Sequence, residues 1–357
     1  MREGEKALMT VTRRDLLVGA GAGAIGVAAG TSAGTADAVR AAGRARAAAR
    51  RPFRPYTASS YFKLPVTGHR INGSRTRAFH QFMKTFKAQA RFRYPTISGV
   101  DGSDWGTAYA MGSRQDPVWR LTGSMDRQCA ILHQRGFHAP EWFGSMLTGT
   151  HDSPFCVIDR ASGYTVFGSG ATVAGHHLIH VSTAGITYHS SNGLTCFNPR
   201  SDDRRNFTGR GRIADAMVIR KDLMDFGLAN RTGLGHVLHL FMTETNSADG
   251  YCNPMVSCEG GLNGFGAEGE RIALSRHIDL GKRGMSPAGM VIARTLQEHG
   301  AYFGDNAGKQ STFKAEQENR SRPIWHGLLN RDSLRGITWD DFVVLERPRH
   351  SGRRGRR

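Results

Sequence analysis

The sequence predicts a mainly β fold, a sandwich or barrel built as one domain with two peripheral helices. Three observations predict it. After Tyr94-Pro95 helical periodicity fades for nearly 200 residues, and short β-prone runs alternate with glycine-rich turns. Two clear helical patterns flank that stretch, over about 75–88 and 287–299. The composition supplies a core, since 39% of the 357 residues are hydrophobic, and this excludes a disordered chain.

At the start, Thr12-Arg13-Arg14-Asp15-Leu16-Leu17 precedes a weakly apolar stretch from Val18 to Ala29, and Ala36-Asp37-Ala38 follows. A basic head, an apolar middle and an A-x-A site form the layout of an export signal. Arg13 and Arg14 before Leu16 and Leu17 resemble a twin-arginine (Tat) signal over residues 1–38, with cleavage after Ala38. The expected partner is the Tat translocase, and the expected location is outside the cytoplasm, with no stable membrane span after cleavage. A Tat passenger crosses already folded, so the five cysteines need not form a disulfide framework. Cys252 and Cys258 are close enough to bridge one loop, and whether they pair is left open.

Net charge is +18, from 48 basic and 30 acidic residues. Much of it sits at the two ends. The Arg/Ala/Pro-rich stretch 39–55 reads as a linker, and 347–357 as a basic tail, leaving 56–346 for the globular domain. A basic face interleaved with aromatics is missing, so a nucleic-acid partner is not expected. Cationic ends on an exported protein suit an anionic glycan or cell-wall polymer.

Within the domain, Phe79, Phe82, Met83 and Phe86 repeat at i, i+3, i+4, i+7 and give the first helix. The β-prone runs are Trp105–Met111, Pro117–Leu121, Phe155–Asp159, Tyr164–Phe167, His177–Ser182, Ile186–His189 and His236–Thr243. Asp159–Gly163 reads as a tight turn and Ser190–Gly193 as a hairpin-like one. Ser286, Pro287 and Gly300 punctuate the second helix as N-cap, first residue and C′. Ala301–Gly304 and Ile337–Leu345 close the domain as strands.

The order of several short segments resembles the C-terminal half of a group of secreted bacterial proteins. They are His236–Phe241, Gly269–Leu274, Ile278-Asp279, Ser286–Gly300 and Asp305-Asn306, with Phe155–Asp159 and Ala214-Asp215-Ala216 as further pieces. The resemblance spans roughly 150–345. It implies a secreted β-rich fold of the jelly-roll kind associated with carbohydrate-active proteins, and no activity that can be carried over.

Candidate chemistry is sparse. His176, His177 and His180 cluster, but a metal site needs a further ligand from elsewhere and no HExxH spacing is present, so no metal site is assigned. The residues name no cofactor. His236 and His239 lie on opposite faces of one strand, and one of them must point into the core or a cleft. Asp215, Glu244, Glu268, Glu270 and Asp305 are the carboxylates for sugar hydrolysis, which needs two at a set separation. Cleavage of an acidic polysaccharide by elimination needs a cation to neutralise the uronate and a base, and Arg212, Arg220 and Arg271 stand near the histidines. The set expected to converge is His236, Arg271 and Asp215. The expected function is action on an extracellular or cell-wall polysaccharide as glycoside hydrolase or lyase, with non-catalytic glycan binding as the alternative. No Gly-x-Ser-x-Gly elbow, phosphate loop or dinucleotide fingerprint occurs in a strand–helix context.

Overall fold

The computed structural model describes residues 52–123, 131–150, 152–193, 217–255 and 257–347. Arg13, Arg14, Leu16, Leu17, Ala36, Ala38, most of the linker, Asp215 and nearly all of the basic tail lie outside the described residues.

The described strands run, in chain order, β1 (Thr96–Ser98), β2 (Ala108–Gly112), β3 (Val118–Gly123), β4 (Phe137–His138), β5 (Phe155–Asp159), β6 (Tyr164–Ser169) and β7 (Thr172–Gly175). They continue as β8 (Leu178–Val181), β9 (Thr183–Tyr188), β10 (Leu238–Met242), β11 (Arg271–Leu274), β12 (Ala301–Asn306), β13 (Thr312–Lys314) and β14 (Phe342–Val344). The longer described helices are α1 (Gly73–Thr85), α2 (Lys221–Asn230) and α3 (Pro287–Glu298).

The architecture is mixed α/β, which corrects both the mainly β sandwich and the jelly roll that the resemblance implied. The described residues form three separate sheets, with strand orders β1-β13-β10-β12-β11-β14, β2-β5-β6-β9 and β4-β3-β8-β7. Four neighbouring pairs are parallel: β1–β13, β10–β12, β2–β5 and β3–β8. Parallel neighbours require crossovers rather than hairpins. The crossover from β10 to β12 contains both β11 and α3. The carbohydrate-active label rested on the jelly roll and loses that support with it.

Three layers of apolar packing explain the order. Phe79 and Met83 of α1, Leu223 and Met224 of α2 and Val291 and Leu296 of α3 share one core with Leu238, Leu240 and Phe303 of the six-stranded sheet. Helix α3 is not peripheral. Ala288, Val291, Ile292, Ala293 and Leu296 are at most 1% exposed. Ser286 caps it, its hydroxyl accepting from the Gly289 N–H at 3.1 Å, and Pro287 occupies the first turn. Helix α1 begins two residues before its expected start because the Asn72 side chain accepts from the Arg75 N–H at 3.1 Å.

The sheet containing β5 is buried on both faces. Phe155 and Val157 join a core with Trp119, Leu121 and Ile179 of the third sheet. Cys156 and Ile158 face the other way, toward Phe62, Val237 and Tyr302. A strand covered on both faces has no polar side to show, so its sequence reads as one apolar run. The turn after β5 forms as expected: the Asp159 carboxylate accepts from the N–H groups of Ala161 (2.9 Å) and Ser162 (3.0 Å), and Gly163 takes φ +79°. Among the described residues Ser190–Gly193 joins no pair of strands. It instead receives the start of the domain, the Ser191 carbonyl accepting from the Thr57 N–H at 2.9 Å.

Candidate functional site

A cleft of about 680 Å³ opens at the carboxyl ends of β10 and β12. In open α/β sheets this is the usual position for a ligand, because loops leaving parallel strands diverge there. Phe241 near the end of β10 forms its floor, and Asp305 and Asn306 at the end of β12 form one wall. The loop to β13 adds Lys309, and β13 itself adds Thr312 and Lys314. Trp105 and Asp152 arrive from the loops before β2 and β5, and Arg91 and Arg331 complete the rim.

The floor is held firmly. The Lys314 ammonium stands over the Phe241 ring, and the His239 ring lies 4.3 Å from that of Phe241. His239 is 2% exposed and lies over the backbone of Gly304 on β12. Polar groups around the floor are ordered by one another. Ser98 and Thr312 hydroxyls meet at 2.8 Å, the Asn306 Oδ1 accepts from the Thr245 N–H at 2.6 Å, and Arg331 donates to Gln310 at 2.7 Å. Trp105, by contrast, is 48% exposed. An exposed indole beside a charged floor is an amphipathic surface suited to stacking on a ring.

Four cationic side chains (Arg91, Lys309, Lys314 and Arg331) and two carboxylates (Asp152 and Asp305) line this cleft. The balance favours an anionic ligand, and a low-dielectric floor strengthens such contacts.

Of the residues expected to converge, His236 and Arg271 are placed elsewhere, and Asp215 lies outside the described residues. His236 is fully buried, stacked on Phe62 at 4.7 Å, and its Nδ1–H donates to the Val237 carbonyl at 2.8 Å. Burial holds its pKa well below the ordinary histidine range, so the ring is neutral. Its Nε2 has no hydrogen-bond partner among the described residues. Arg271 is 7% exposed, and its guanidinium donates to the carbonyls of His299 (Nε, 3.1 Å) and Leu64. It also covers the Tyr302 ring at 5.3 Å. Arg271 binds the His299 carbonyl while His236 stacks on Phe62, and neither residue lines the cleft.

The other candidates are dispersed. Glu270 is 1% exposed and accepts two hydrogen bonds from Arg75, at 2.9 and 2.6 Å. Glu244 accepts from the Asn263 N–H at 2.8 Å, and Glu268 from the Glu259 N–H at 3.2 Å. Arg220 is completely buried and pairs with Asp222 at 2.6 Å. Arg212 lies outside the described residues. Cys252 and Cys258 form no disulfide with each other, and burial pushes the Cys252 thiol up to about 12. Of the five expected carboxylates only Asp305 reaches the cleft among the described residues. Trp105, Phe241, Lys314 and Asp152 were missed, although Trp105 and Phe241 fall within the β-prone runs Trp105–Met111 and His236–Thr243. No family model, curated protein or solved structure matches this chain.

Proposed function

We propose that this chain is an extracytoplasmic binding protein for an acidic glycan, with the cleft at the ends of β10 and β12 as its site. One observation carries the reading: an exposed indole, Trp105, and four cationic side chains converge on one cleft whose floor is Phe241, with Lys314 over its ring and His239 packed beside it. Guanidinium and ammonium groups recognise carboxylates, and an indole stacks on the apolar face of a sugar ring. The basic tails favour the same polyanionic surroundings. Export by the twin-arginine route brings the cleft to such polymers, and Arg13→Lys with Arg14→Lys should hold the precursor in the cytoplasm.

The test is calorimetric titration of the full chain with oligogalacturonate and with a neutral oligosaccharide of equal length. Saturable binding of the acidic chain, lost in Trp105→Ala, supports the proposal. Equal binding of the neutral chain, or none of either, overturns the acidic assignment. Reducing ends or unsaturated uronate appearing during the titration would replace binding by turnover.

A further inference from the structure

A straight strand places neighbouring side chains on opposite faces. His176 and His177 escape that rule because they occupy the two-residue turn between β7 and β8, just after a register shift at Val173/Gly175 within β7. His177 takes φ +51°, a left-handed conformation that costs energy for a residue with a β-carbon. The result brings both imidazoles together, with ring centroids 3.9 Å apart. A third donor arrives from a distant part of the chain. Glu141 opens the short helix Glu141–Met146 between β4 and β5, and its Oε2 lies 2.8 Å from the His177 Nε2.

We propose that Glu141, His176 and His177 form a binding site for a divalent transition metal ion, with Zn²⁺ as its best fit. One donor atom from each residue lies within 4.8 Å of the other two. Tetrahedral zinc with bonds of about 2.0–2.1 Å sets its ligand atoms about 3.3 Å apart, so small side-chain rotations bring the trio to coordination distance. Two imidazole nitrogens and one carboxylate oxygen are a borderline-soft set that suits zinc over calcium or magnesium. Three protein ligands leave one position open to water or to a ligand from another molecule.

The frame under the site is rigid, while the site is open. Phe143 and Met146 anchor the Glu141 helix in the core between the two four-stranded sheets. Trp119 of β3 braces the His177 ring at 4.9 Å. The Glu141 side chain is 71% exposed and that of His177 is 20% exposed, so an aqueous ion reaches both. A histidine–glutamate surface pair by itself gives no reason for His176 to share the turn, or for His177 to hold a positive φ.

The experiment uses untagged full-length protein, stripped with EDTA and dialysed. Zn²⁺ is titrated by calorimetry, and Co²⁺ by its visible absorption, which is intense for tetrahedral coordination. One ion per chain is expected, with affinity falling about tenfold or more in His176→Ala and in Glu141→Gln as each ligand is removed. His177→Asn, which tolerates the left-handed backbone, should act likewise, and His180→Ala should bind as the parent does. Glu141 and His176 are exposed, so their variants keep the fold and carry the test whatever befalls His177, with thermal unfolding as the check. Absence of one-to-one Zn²⁺ binding overturns the site, as does parental affinity in both His176→Ala and Glu141→Gln.

Discussion

The Lys314 ammonium lies 4.0 Å from the centroid of the Phe241 ring, one strand away on the floor of the cleft. The contact fixes a positive charge over an apolar surface, where a ligand carboxylate meets it with little water between. Lys314→Ala should weaken oligogalacturonate binding by about tenfold or more, the range for a hydrogen bond to a charged group. It should also reduce the dependence on salt and leave any neutral oligosaccharide unaffected. Calorimetry at two ionic strengths reads both effects, and an unchanged affinity removes Lys314 from the site.

Gly304 is the counterpart of His239. A β-carbon placed on Gly304 would stand 1.8 Å from the His239 Nε2, and the ring lies close beside Phe241 and is 2% exposed. Gly304→Ala should therefore destabilise by about 2–3 kcal/mol through overpacking. His239→Ala in the same chain should restore part of that loss, because it removes the obstructing atoms. Urea unfolding of the single and double variants measures the coupling. Additive losses would show that the close approach carries no energetic weight.

Stability should carry a pH signature from Glu316. This residue is 6% exposed, its carboxylate accepts from the Lys221 N–H at 3.0 Å, and burial pushes its pKa from 4.5 up to about 7. Between those values the folded chain holds a proton that the unfolded chain has released. Raising the pH through this window therefore removes stability, by up to about 1.4 kcal/mol per unit. His189, which burial pushes down to about 4, acts with the opposite sign below pH 6.5, so the contribution of Glu316 must be read as a difference. Glu316→Gln keeps an acceptor for Lys221. It should match the parent near pH 4.5 and exceed it in stability above pH 7. Parallel stability curves for the two proteins would show that Glu316 does not titrate in that window.

Phe79 is completely buried and touches Phe265, Phe303 and Trp339, with centroid distances of 5.5–6.1 Å. Phe79→Ala should cost about 3–5 kcal/mol, since these aromatic neighbours cannot collapse into the space left behind. Chemical denaturation supplies the number, and a loss below about 1 kcal/mol would mean that α1 is loosely docked.

Local signals were legible where chemistry acts within a few residues. Phe155–Asp159 coincides with β5, the Ser286-Pro287 start marks α3, and Asp159–Gly163 forms its turn. Partner choice was not legible. Leu238–Met242 has the same apolar character beside parallel β12 as it would have in an antiparallel sandwich, and this led to the incorrect architecture. Helix α2 escaped notice because Gly227 weakens its pattern, yet that glycine admits Val291, whose Cγ1 would lie 2.7 Å from an added β-carbon. The cleft was hidden for a related reason. Trp105, Asp152, Phe241 and Lys314 are separated by long stretches of chain, and only the crossovers bring them together. Among the candidate carboxylates, Asp305 reads in sequence as an ordinary turn residue.

The parallel pairing of Thr96 with Thr312 has a consequence for how the chain is made. Every strand partner within the two four-stranded sheets lies between residues 108 and 188, so those sheets can assemble while the ribosome is still translating. The six-stranded sheet must wait. Its edge strand β1 emerges early and has no neighbour until β13 exists, and the Asn72 N–H finds the Val344 carbonyl, at 2.8 Å, only after β14 has followed. Closing so long a loop is slow, and until it closes β1 is left without its partner. The two four-stranded sheets can thus pair their strands before the six-stranded sheet closes, yet the face of β5 that carries Cys156 and Ile158 stays uncovered until Val237 and Tyr302 arrive.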